Sequence, residues 1–310
     1  MEQAKIAIIG AGVVGSTTAY TLMMRNLASK IILVDPQDSR CAGEVADLSD
    51  AIPFSNTCDV VKGTLLDEGQ ADIVIITAGA AQKPGQSRRD LLKINNEIIK
   101  QVIEGMKPLN PHMVIIVVTN PVDSLTYTAQ KISGLPTHQV FGSGTLLDTQ
   151  RLRLLISKKI TVAQQSIHVY VLGEHGDSQF VPWSSARIAD IPLTDFPGLN
   201  KNELQHMAEQ SKQKAYDIIA CKGSTAFGIS SCLAAYCQNI IFDAKRVTPV
   251  SCYVKEFDIC LSMPAVLGKG GVEQILIPEF NDEEKAQLHD TVMILKEMMQ
   301  GLVKKREFAI

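Results

Sequence analysis

The feature that most constrains the fold of this chain is a glycine-rich turn near its N-terminus. Residues 10–15 read Gly-Ala-Gly-Val-Val-Gly, and they lie between a short apolar run and a helical pattern. Gly10 permits a tight turn, Gly12 lets a phosphate approach the backbone, and Gly15 lets the helix pack against the strand. The N-terminus of that helix offers free N–H groups to the phosphate. This order of strand, turn and helix predicts a dinucleotide-binding site.

A carboxylate in the next strand distinguishes between the two common nicotinamide dinucleotides. Asp35 ends the second strand-like run, about 20 residues after Gly15. A carboxylate at this position accepts hydrogen bonds from both ribose hydroxyls and repels a 2′-phosphate. The sequence therefore predicts NAD rather than NADP as the cofactor. The alternative is a structural strand–helix turn followed by a chance acidic residue.

Apolar runs alternate with helical patterns through the first 142 residues. Residues 73–76 form the continuous apolar run that is typical of a fully buried parallel strand. We predict strands at residues 5–9, 30–35, 71–77, 113–118 and 139–141, and helices at about 12–27, 39–51, 87–106 and 122–132. The alternation predicts an α/β fold with a Rossmann-type, doubly wound parallel sheet that is covered on both faces.

The second half of the chain lacks this rhythm. We predict helices at about 145–157, 202–221, 226–243 and from 282, and strands at 166–172, at 178–183 and within 246–277. This mixture is typical of an α+β arrangement. We therefore expect an NAD-binding Rossmann domain at residues 1–142, followed by a catalytic domain at residues 143–310.

Composition excludes several classes of protein. Acidic and basic residues are interspersed and the net charge is −3, which does not favour nucleic-acid binding. No stretch reaches the ~20 apolar residues of a membrane span, and the first strand begins too early for a signal peptide. The 7 cysteines are odd in number and form no CxxC pair, which predicts neither a disulfide framework nor a metal site. These features favour the reduced cytoplasm.

A histidine between glycines is the first candidate for chemistry. Residues 173–177 read Gly-Glu-His-Gly-Asp after a strand-like run, and His175 is of the residue type that exchanges protons near neutral pH. Asp148 and Arg151 lie three residues apart on a predicted helix, hence on one face. The aspartate is suited to orient a histidine, and the arginine to hold a carboxylate through two hydrogen bonds. The alternatives are a surface histidine in a turn and a surface salt bridge.

A basic loop is predicted to overhang the same region. Residues 78–90 follow the third long strand, so they lie at the carboxyl edge of the sheet, where doubly wound folds bind ligands. The loop carries Lys83, Arg88 and Arg89. A loop of this kind can close over a substrate and bring positive charge to a carbonyl group. The alternative is a solvated basic loop.

These motifs together resemble the lactate/malate dehydrogenase family over essentially the whole chain. The matching segments are 10–15, 77–90, 118–123 (Val-Thr-Asn-Pro-Val-Asp), 142–153 and 172–178. The resemblance implies that His175 is the proton donor and acceptor, with Asp148 as its partner. It also implies substrate contacts from Gln82, Arg88, Asn120, Arg151 and Thr225, with Arg88 polarising the reacting carbonyl. Cofactor contacts are expected at Gly10, Gly12, Val14, Gly15, Asp35, Gly79, Ala80, Asn120 and Ser143.

Within the family, the residue that discriminates between substrates matches Gln82. Malate dehydrogenases that resemble this chain carry arginine there, which pairs with the second carboxylate of oxaloacetate. Gln82 offers no full charge, so a dicarboxylate would leave an uncompensated anion in a closed site. The resemblance therefore implies reduction of pyruvate to L-lactate by NADH. The alternatives are a malate or other 2-hydroxyacid dehydrogenase and, more distantly, a non-catalytic NAD-binding structural protein.

The resemblance also implies regulation and assembly. Arg153 and His168 match residues that bind fructose 1,6-bisphosphate in bacterial lactate dehydrogenases, where that effector lies between subunits. The alternatives are a solvated helix charge for Arg153 and a strand residue with a satisfied ring for His168. The chain lacks the N-terminal arm of the animal enzymes and therefore resembles the bacterial type. The resemblance to the family also implies a homotetramer.

Overall fold

The fold is taken from a computed structural model that describes residues 4–55, 59–80 and 87–303. The strands are β1 (Lys5–Ile9), β2 (Lys30–Val34), β3 (Asp59–Lys62), β4 (Ile73–Ile76), β5 (Val114–Val117), β6 (Val140–Gly142), β7 (Ile167–His168), β8 (Arg187–Ile188), β9 (Ile191–Pro192), β10 (Arg246–Val254), β11 (Ile259–Gly268) and β12 (Gly271–Ile275). The helices are α1 (Val13–Met24), α2 (Asp38–Ala51), α3 (Leu65–Glu68), α4 (Arg88–Met106), α5 (Val122–Ser133), α6 (Leu146–Ile160), α7 (Lys201–Lys222), α8 (Phe227–Ile241) and α9 (Asp282–Val303).

The first half forms the predicted doubly wound sheet. Strands β1 to β6 are parallel to their neighbours and follow the order β3-β2-β1-β4-β5-β6. Strands β4 and β5 are buried throughout, as their continuous apolar runs require when helices cover both faces of a sheet. The strand order reverses between β1 and β4, and this is where such a fold opens a crevice for a dinucleotide. The predicted Rossmann-type fold is confirmed.

The sheet continues into the second half of the chain. Strands β10, β11 and β12 add to it as an antiparallel extension, and β10 pairs with β6 through Ser251 and Gly142. The described residues therefore form one sheet of nine strands that runs across residue 142. A three-stranded sheet of β7, β8 and β9 lies apart from it. The division into domains at residues 142 and 143 stays a prediction.

Two predicted strands of the second half are wrong in extent. The strand predicted at 166–172 is limited to β7, and the strand predicted at 178–183 is reduced to one bridge between Phe180 and Leu172. Backbone groups within 169–171 bond to side chains of α6 instead of to a strand. Arg153 donates to the carbonyl of Val169, and Thr149 accepts from the N–H of Val171. The apolar alternation along the sequence could not indicate these partners.

The sequence prediction missed several short elements. Strand β3 contains only 4 residues and lies at the edge of the sheet, so it carries too little apolar pattern to be recognised. Helix α3 is a single turn that is closed by a capping box between Thr64 and Asp67. In the described part of the chain, no helix is long and apolar enough to cross a membrane.

Candidate active site

The glycine turn between β1 and α1 is tight at two positions and open at a third. Gly10 has a φ of +105°, and a Cβ added there would lie 2.7 Å from the backbone nitrogen of Ala78. A Cβ at Gly15 would lie 1.8 Å from the carbonyl oxygen of Gly10. At Gly12, by contrast, no described atom lies within 4 Å of that point. The turn therefore leaves open space at the N-terminus of α1, where a pyrophosphate is bound in such folds.

Asp35 is fixed beside this turn at the end of β2. One of its carboxylate oxygens accepts a hydrogen bond from the N–H of Ala11 at 2.9 Å, and the other accepts from the N–H of Gln37 at 2.8 Å. The side chain remains partly exposed, so further lone pairs are open to ribose hydroxyls. The glycine turn and this carboxylate both fit NAD.

Asn95 links Ala80 and Asn120, two predicted cofactor contacts, and no sequence motif pointed to this residue. Its side-chain oxygen accepts from the N–H of Ala80 at 2.7 Å, and its amide nitrogen donates to the carbonyl of Asn120 at 2.7 Å. Gly79 packs so closely that a Cβ there would lie 2.3 Å from the methyl group of Thr119. These bonds hold the segments that follow β4 and β5 at one edge of the sheet.

His175 and Asp148 form a close pair. Nδ1 of His175 lies 2.8 Å from Oδ2 of Asp148, which projects from the first turn of α6. The other carboxylate oxygen lies 3.3 Å from Nη1 of Arg151, one turn along the same helix. The side chains of Asp148 and Arg151 are buried, whereas 29% of the His175 side chain is exposed. One buried carboxylate thus contacts a histidine that reaches solvent and an arginine that does not.

The electrostatics of this pair favour a charged imidazole. Burial disfavours charge on His175, but the charge and hydrogen bond of Asp148, helped by Asp123, outweigh burial and raise the pKa of the imidazole. Burial also disfavours charge on Asp148, yet His175 and Arg151 outweigh it and hold the pKa of that carboxyl below its usual value. The pair therefore favours the ionised carboxylate and the protonated histidine near neutral pH.

The backbone of the histidine turn is anchored at three successive residues. Gly173 exchanges hydrogen bonds with the backbone of Ser262, and the N–H of Glu174 donates to the hydroxyl of Thr291 at 3.0 Å. The N–H of His175 donates to Oδ2 of Asp123 at 2.7 Å. The sequence analysis noted Asp123 only as the end of a matching motif. The partners lie in β11, α9 and α5, so no local pattern could have shown them.

The predicted substrate residues fall on two neighbouring cavities. His175, Asp148 and Asn120 line one cavity together with Leu91. Arg151 and Thr225 line a second cavity, which is more apolar and which also borders on α7. The contact between Asp148 and Arg151 joins the two cavities.

Several predicted residues have a more limited description. Arg88 begins α4, one turn before Leu91, and its backbone alone is described. Gln82 lies outside the described residues, as does Lys83. Ser143 is buried beside β6, where its carbonyl accepts from the hydroxyl of Tyr236 at 2.7 Å.

Arg153 and His168 line a third cavity, which shares Gln150 and Gln164 with the cavity of Arg151. Arg153 donates from Nε and Nη2 to the carbonyl of Val169, at 3.1 and 3.0 Å, and its guanidinium lies 5.1 Å from the centre of the Tyr170 ring. His168 is exposed. The cavity also includes Arg246, a cation that the sequence analysis did not single out.

The fold and the site together define a class. A doubly wound sheet with a glycine turn suited to NAD lies beside an acid–histidine pair that is suited to exchange a proton. Such a combination is that of an NAD-dependent dehydrogenase.

Comparison with known proteins identifies the family. Residues 4–142 match the model described as lactate/malate dehydrogenase, NAD binding domain, and residues 145–306 match lactate/malate dehydrogenase, alpha/beta C-terminal domain. The chain belongs to the lactate/malate dehydrogenase family, and its cofactor is NAD.

Individual relatives match over nearly the full length. The chain is 45% identical to L-lactate dehydrogenase A of Rhizopus oryzae, over 98% of this chain and 94% of that protein. It is 40% identical to L-lactate dehydrogenase of Acetivibrio thermocellus, over 96% and 97% of the two chains. A crystal structure of the minor L-lactate dehydrogenase of Enterococcus mundtii superimposes with a TM-score of 0.93 at 34% identity, over 97% and 98% of the two chains.

Proposed function

We propose that this chain is an L-lactate dehydrogenase, which reduces pyruvate to L-lactate with NADH and catalyses the reverse reaction. The observation that carries the proposal is the 2.8 Å contact between His175 and the buried carboxylate of Asp148, at the edge of an NAD-binding sheet. The names of the full-length relatives support lactate as the 2-hydroxy acid.

Each side chain has a definite part in the proposed reaction. Nδ1 of His175 donates to Asp148, so Nε2 is the nitrogen that remains to give a proton to the ketone oxygen. Asp148 stabilises the imidazolium form until that transfer. Bound NADH supplies the hydride to the ketone carbon. In the reverse direction the neutral imidazole of His175 accepts the proton of the hydroxyl group.

The remaining proposed contacts hold the substrate. Arg151 binds the carboxylate of pyruvate through its guanidinium, and Arg88 stabilises the negative charge that develops on the ketone oxygen. Asn120 contacts the substrate and the nicotinamide, and Thr225 faces the substrate. The position of His175, Asp148 and Asn120 on one cavity supports this assignment, and the contact of Asp148 with Arg151 links the carboxylate site to it.

The choice of pyruvate over oxaloacetate rests on Gln82 and on the relatives. The test compares kcat/KM for pyruvate, oxaloacetate and a branched 2-oxoacid with NADH. Pyruvate should be preferred, and a better rate with oxaloacetate would favour a malate dehydrogenase. If no 2-oxoacid supports oxidation of NADH, the chain is a non-catalytic NAD-binding protein.

A matched variant tests the residue itself. Gln82→Arg should shift the preference toward oxaloacetate by orders of magnitude, because the new guanidinium pairs with the second carboxylate. Gln82→Lys, which adds charge without the planar fork, should shift it less. Persistent preference for pyruvate in Gln82→Arg means that another residue shapes the pocket.

We further propose that the cavity of Arg153 and His168 binds fructose 1,6-bisphosphate as an activator, between subunits of a cytoplasmic homotetramer. The presence of Arg246 in the same cavity supports an anionic ligand. The pyruvate saturation curve should move to lower concentration when fructose 1,6-bisphosphate is added, and an unchanged curve would count against regulation. Sedimentation of the purified chain tests the tetramer.

A further inference from the structure

Asp123 brings a second buried carboxylate to the catalytic histidine. We propose that Asp123 is a positioning residue for the reaction, because it fixes the main chain of His175 through a charge-assisted hydrogen bond and adds negative charge close to the imidazole. This inference rests on the proposed function and concerns a residue to which that function assigns no part.

Asp123 has hydrogen-bond partners in two other parts of the chain, the histidine turn and β10. Its own side chain, in the first turn of α5, is only 3% exposed. Oδ2 accepts from the N–H of His175 at 2.7 Å, and Oδ1 accepts from the hydroxyl of Ser251 in β10 at 2.6 Å. A hydrogen bond to an ionised acceptor is stronger than one between neutral groups. Both oxygens of Asp123 therefore hold neighbours in fixed places.

The position of Asp123 along the chain links two parts of the site. Helix α5 begins two residues after Asn120, which lines the same cavity as His175. The bond from the N–H of His175 therefore ties the histidine turn to the segment that carries Asn120. This bond therefore helps to set the spacing between Asn120 and His175. Small errors in such a spacing are costly for a proton transfer.

The charge of Asp123 acts on the same histidine. Burial raises the pKa of Asp123 to about 6, against the hydrogen bonds from Ser251 and His175 that favour its charged form. The carboxylate is therefore ionised at neutral pH and loses its charge in mild acid. While ionised, it adds to the effect of Asp148 and raises the pKa of the imidazole.

The other titratable groups that face Asp123 do not replace it. Glu174 adds negative charge nearby, which also raises the pKa of Asp123. The buried thiol of Cys252 in β10 has a pKa raised to about 12 by burial, and burial also raises that of Cys260 in β11, so both are neutral. The charge of Asp123 therefore varies close to the backbone of His175 between mild acid and neutral pH.

Two variants separate the effect of Asp123 on the position of His175 from the effect of its negative charge. In Asp123→Asn the amide oxygen can still accept from His175 and the NH₂ group can donate to Ser251, so the charge alone is lost. Asp123→Ala removes the acceptor as well. Thr128→Val is the matched control, because Thr128 lies on the same helix and makes a buried hydrogen bond to Asn96 on α4 instead of to the histidine turn.

The first measurement is the pH profile of kcat/KM for pyruvate, with NADH binding by fluorescence as a check on folding. Asp123→Ala should lose about 100-fold at every pH. Asp123→Asn should lose less than Asp123→Ala. In mild acid its kcat/KM should approach that of the wild type, because the wild-type carboxylate is itself protonated there. Its activity should then fall at lower pH than that of the wild type, because a lower pKa of His175 deprotonates the proton donor sooner. Thr128→Val should keep the wild-type profile.

Two results would overturn the inference. The first is that both Asp123 variants keep the wild-type pH profile and a kcat/KM within about twofold of wild type. The other is an equal displacement of the profile in Thr128→Val. An NMR titration of the His175 imidazole, assigned with His175→Asn, needs no turnover and should show a lower pKa in Asp123→Asn. If the wild type does not reduce pyruvate, the proposed function fails, and this titration still decides the role of Asp123.

Discussion

Helix α6 carries two arginines that meet very different surroundings. Arg151 contacts Asp148, whose second oxygen contacts His175. Arg153 lies two residues further along, donates to a backbone carbonyl and packs on Tyr170, and the histidine of its cavity is the exposed His168. Each place contains an arginine and a histidine. The first place also has the buried carboxylate of Asp148, which contacts both side chains. In the proposed reaction, that carboxylate is what makes the histidine of the first place a proton donor.

The largest expected effect is at the histidine of the first place. His175→Asn keeps a polar side chain of similar reach but removes the proton donor, so kcat/KM for pyruvate should fall by about 1000-fold or more. Steady-state oxidation of NADH measures the loss. NADH should bind as in the wild type, since the glycine turn is untouched. If His168→Asn loses as much activity, the distinction between the two places is wrong.

Removal of the carboxylate should have the next largest effect. Asp148→Asn should lower kcat/KM for pyruvate by about 100-fold, because the amide neither stabilises the imidazolium nor enforces its orientation. The pKa of His175 should fall in this variant, since Asp148 is the main group that raises it. The reduction of pyruvate requires protonated His175, so its pH profile should decline at lower pH than in the wild type. A profile with an unchanged midpoint would contradict this.

In the wild-type enzyme, the pH should also determine which direction of the reaction, reduction of pyruvate or oxidation of lactate, is faster. In the proposed reaction, protonated His175 serves reduction and neutral His175 serves oxidation, and the pKa of this group is raised. Reduction of pyruvate should therefore be fastest below that pKa, and oxidation of lactate should rise as the pH passes through it. Initial rates in both directions across a series of buffers measure this, with ionic strength held constant.

At the second place, Arg153 should matter for stability more than for turnover. Arg153→Met keeps much of the packing on Tyr170 but leaves the carbonyl of Val169 without its partner, at a cost of about 1–3 kcal/mol in the free energy of unfolding. Without effector, kcat/KM should stay within about twofold of wild type. Denaturant unfolding gives the stability. Arg246→Met is the control, because this exposed arginine of the same cavity should cost less than about 0.5 kcal/mol.

The smallest effect is expected at His168. This exposed residue of β7 should tolerate His168→Ala with a change of less than about 0.5 kcal/mol in stability and little change in basal activity. If the cavity binds fructose 1,6-bisphosphate, the response of the pyruvate saturation curve should be lost in this variant. A response equal to that of the wild type would remove His168 from the proposed effector site.

The sequence predicts best what is local. The spacing of Asp148 and Arg151 places them on one face of a helix, and the structure has them in contact. The alternation of strands and helices predicts a doubly wound parallel sheet, and the structure has that sheet. Both predictions need only neighbours within one element or one strand–helix–strand unit.

The sequence predicts least where a side chain bonds to a distant backbone. Asp123 and His175 are 52 residues apart, and the bond between them involves a main-chain N–H that leaves no mark on the residue type. Asn95 joins Ala80 and Asn120 in the same manner. The segment after β7 was predicted as a strand because apolar alternation does not say whether a strand or the side chains of α6 will satisfy its backbone.

The pairing of β6 with β10 has a consequence for chimeric enzymes. A junction at residue 142 looks natural from the change of pattern along the chain, but it coincides with the residue that pairs with Ser251. Ser251 is also the donor to Asp123. A hybrid that takes residues 1–142 from one relative and the rest from another would rebuild the middle of a continuous sheet, and the support of the histidine turn, from two unmatched parents. Exchanges of surface segments leave the pairing of β6 with β10 intact and are the safer route to new specificity.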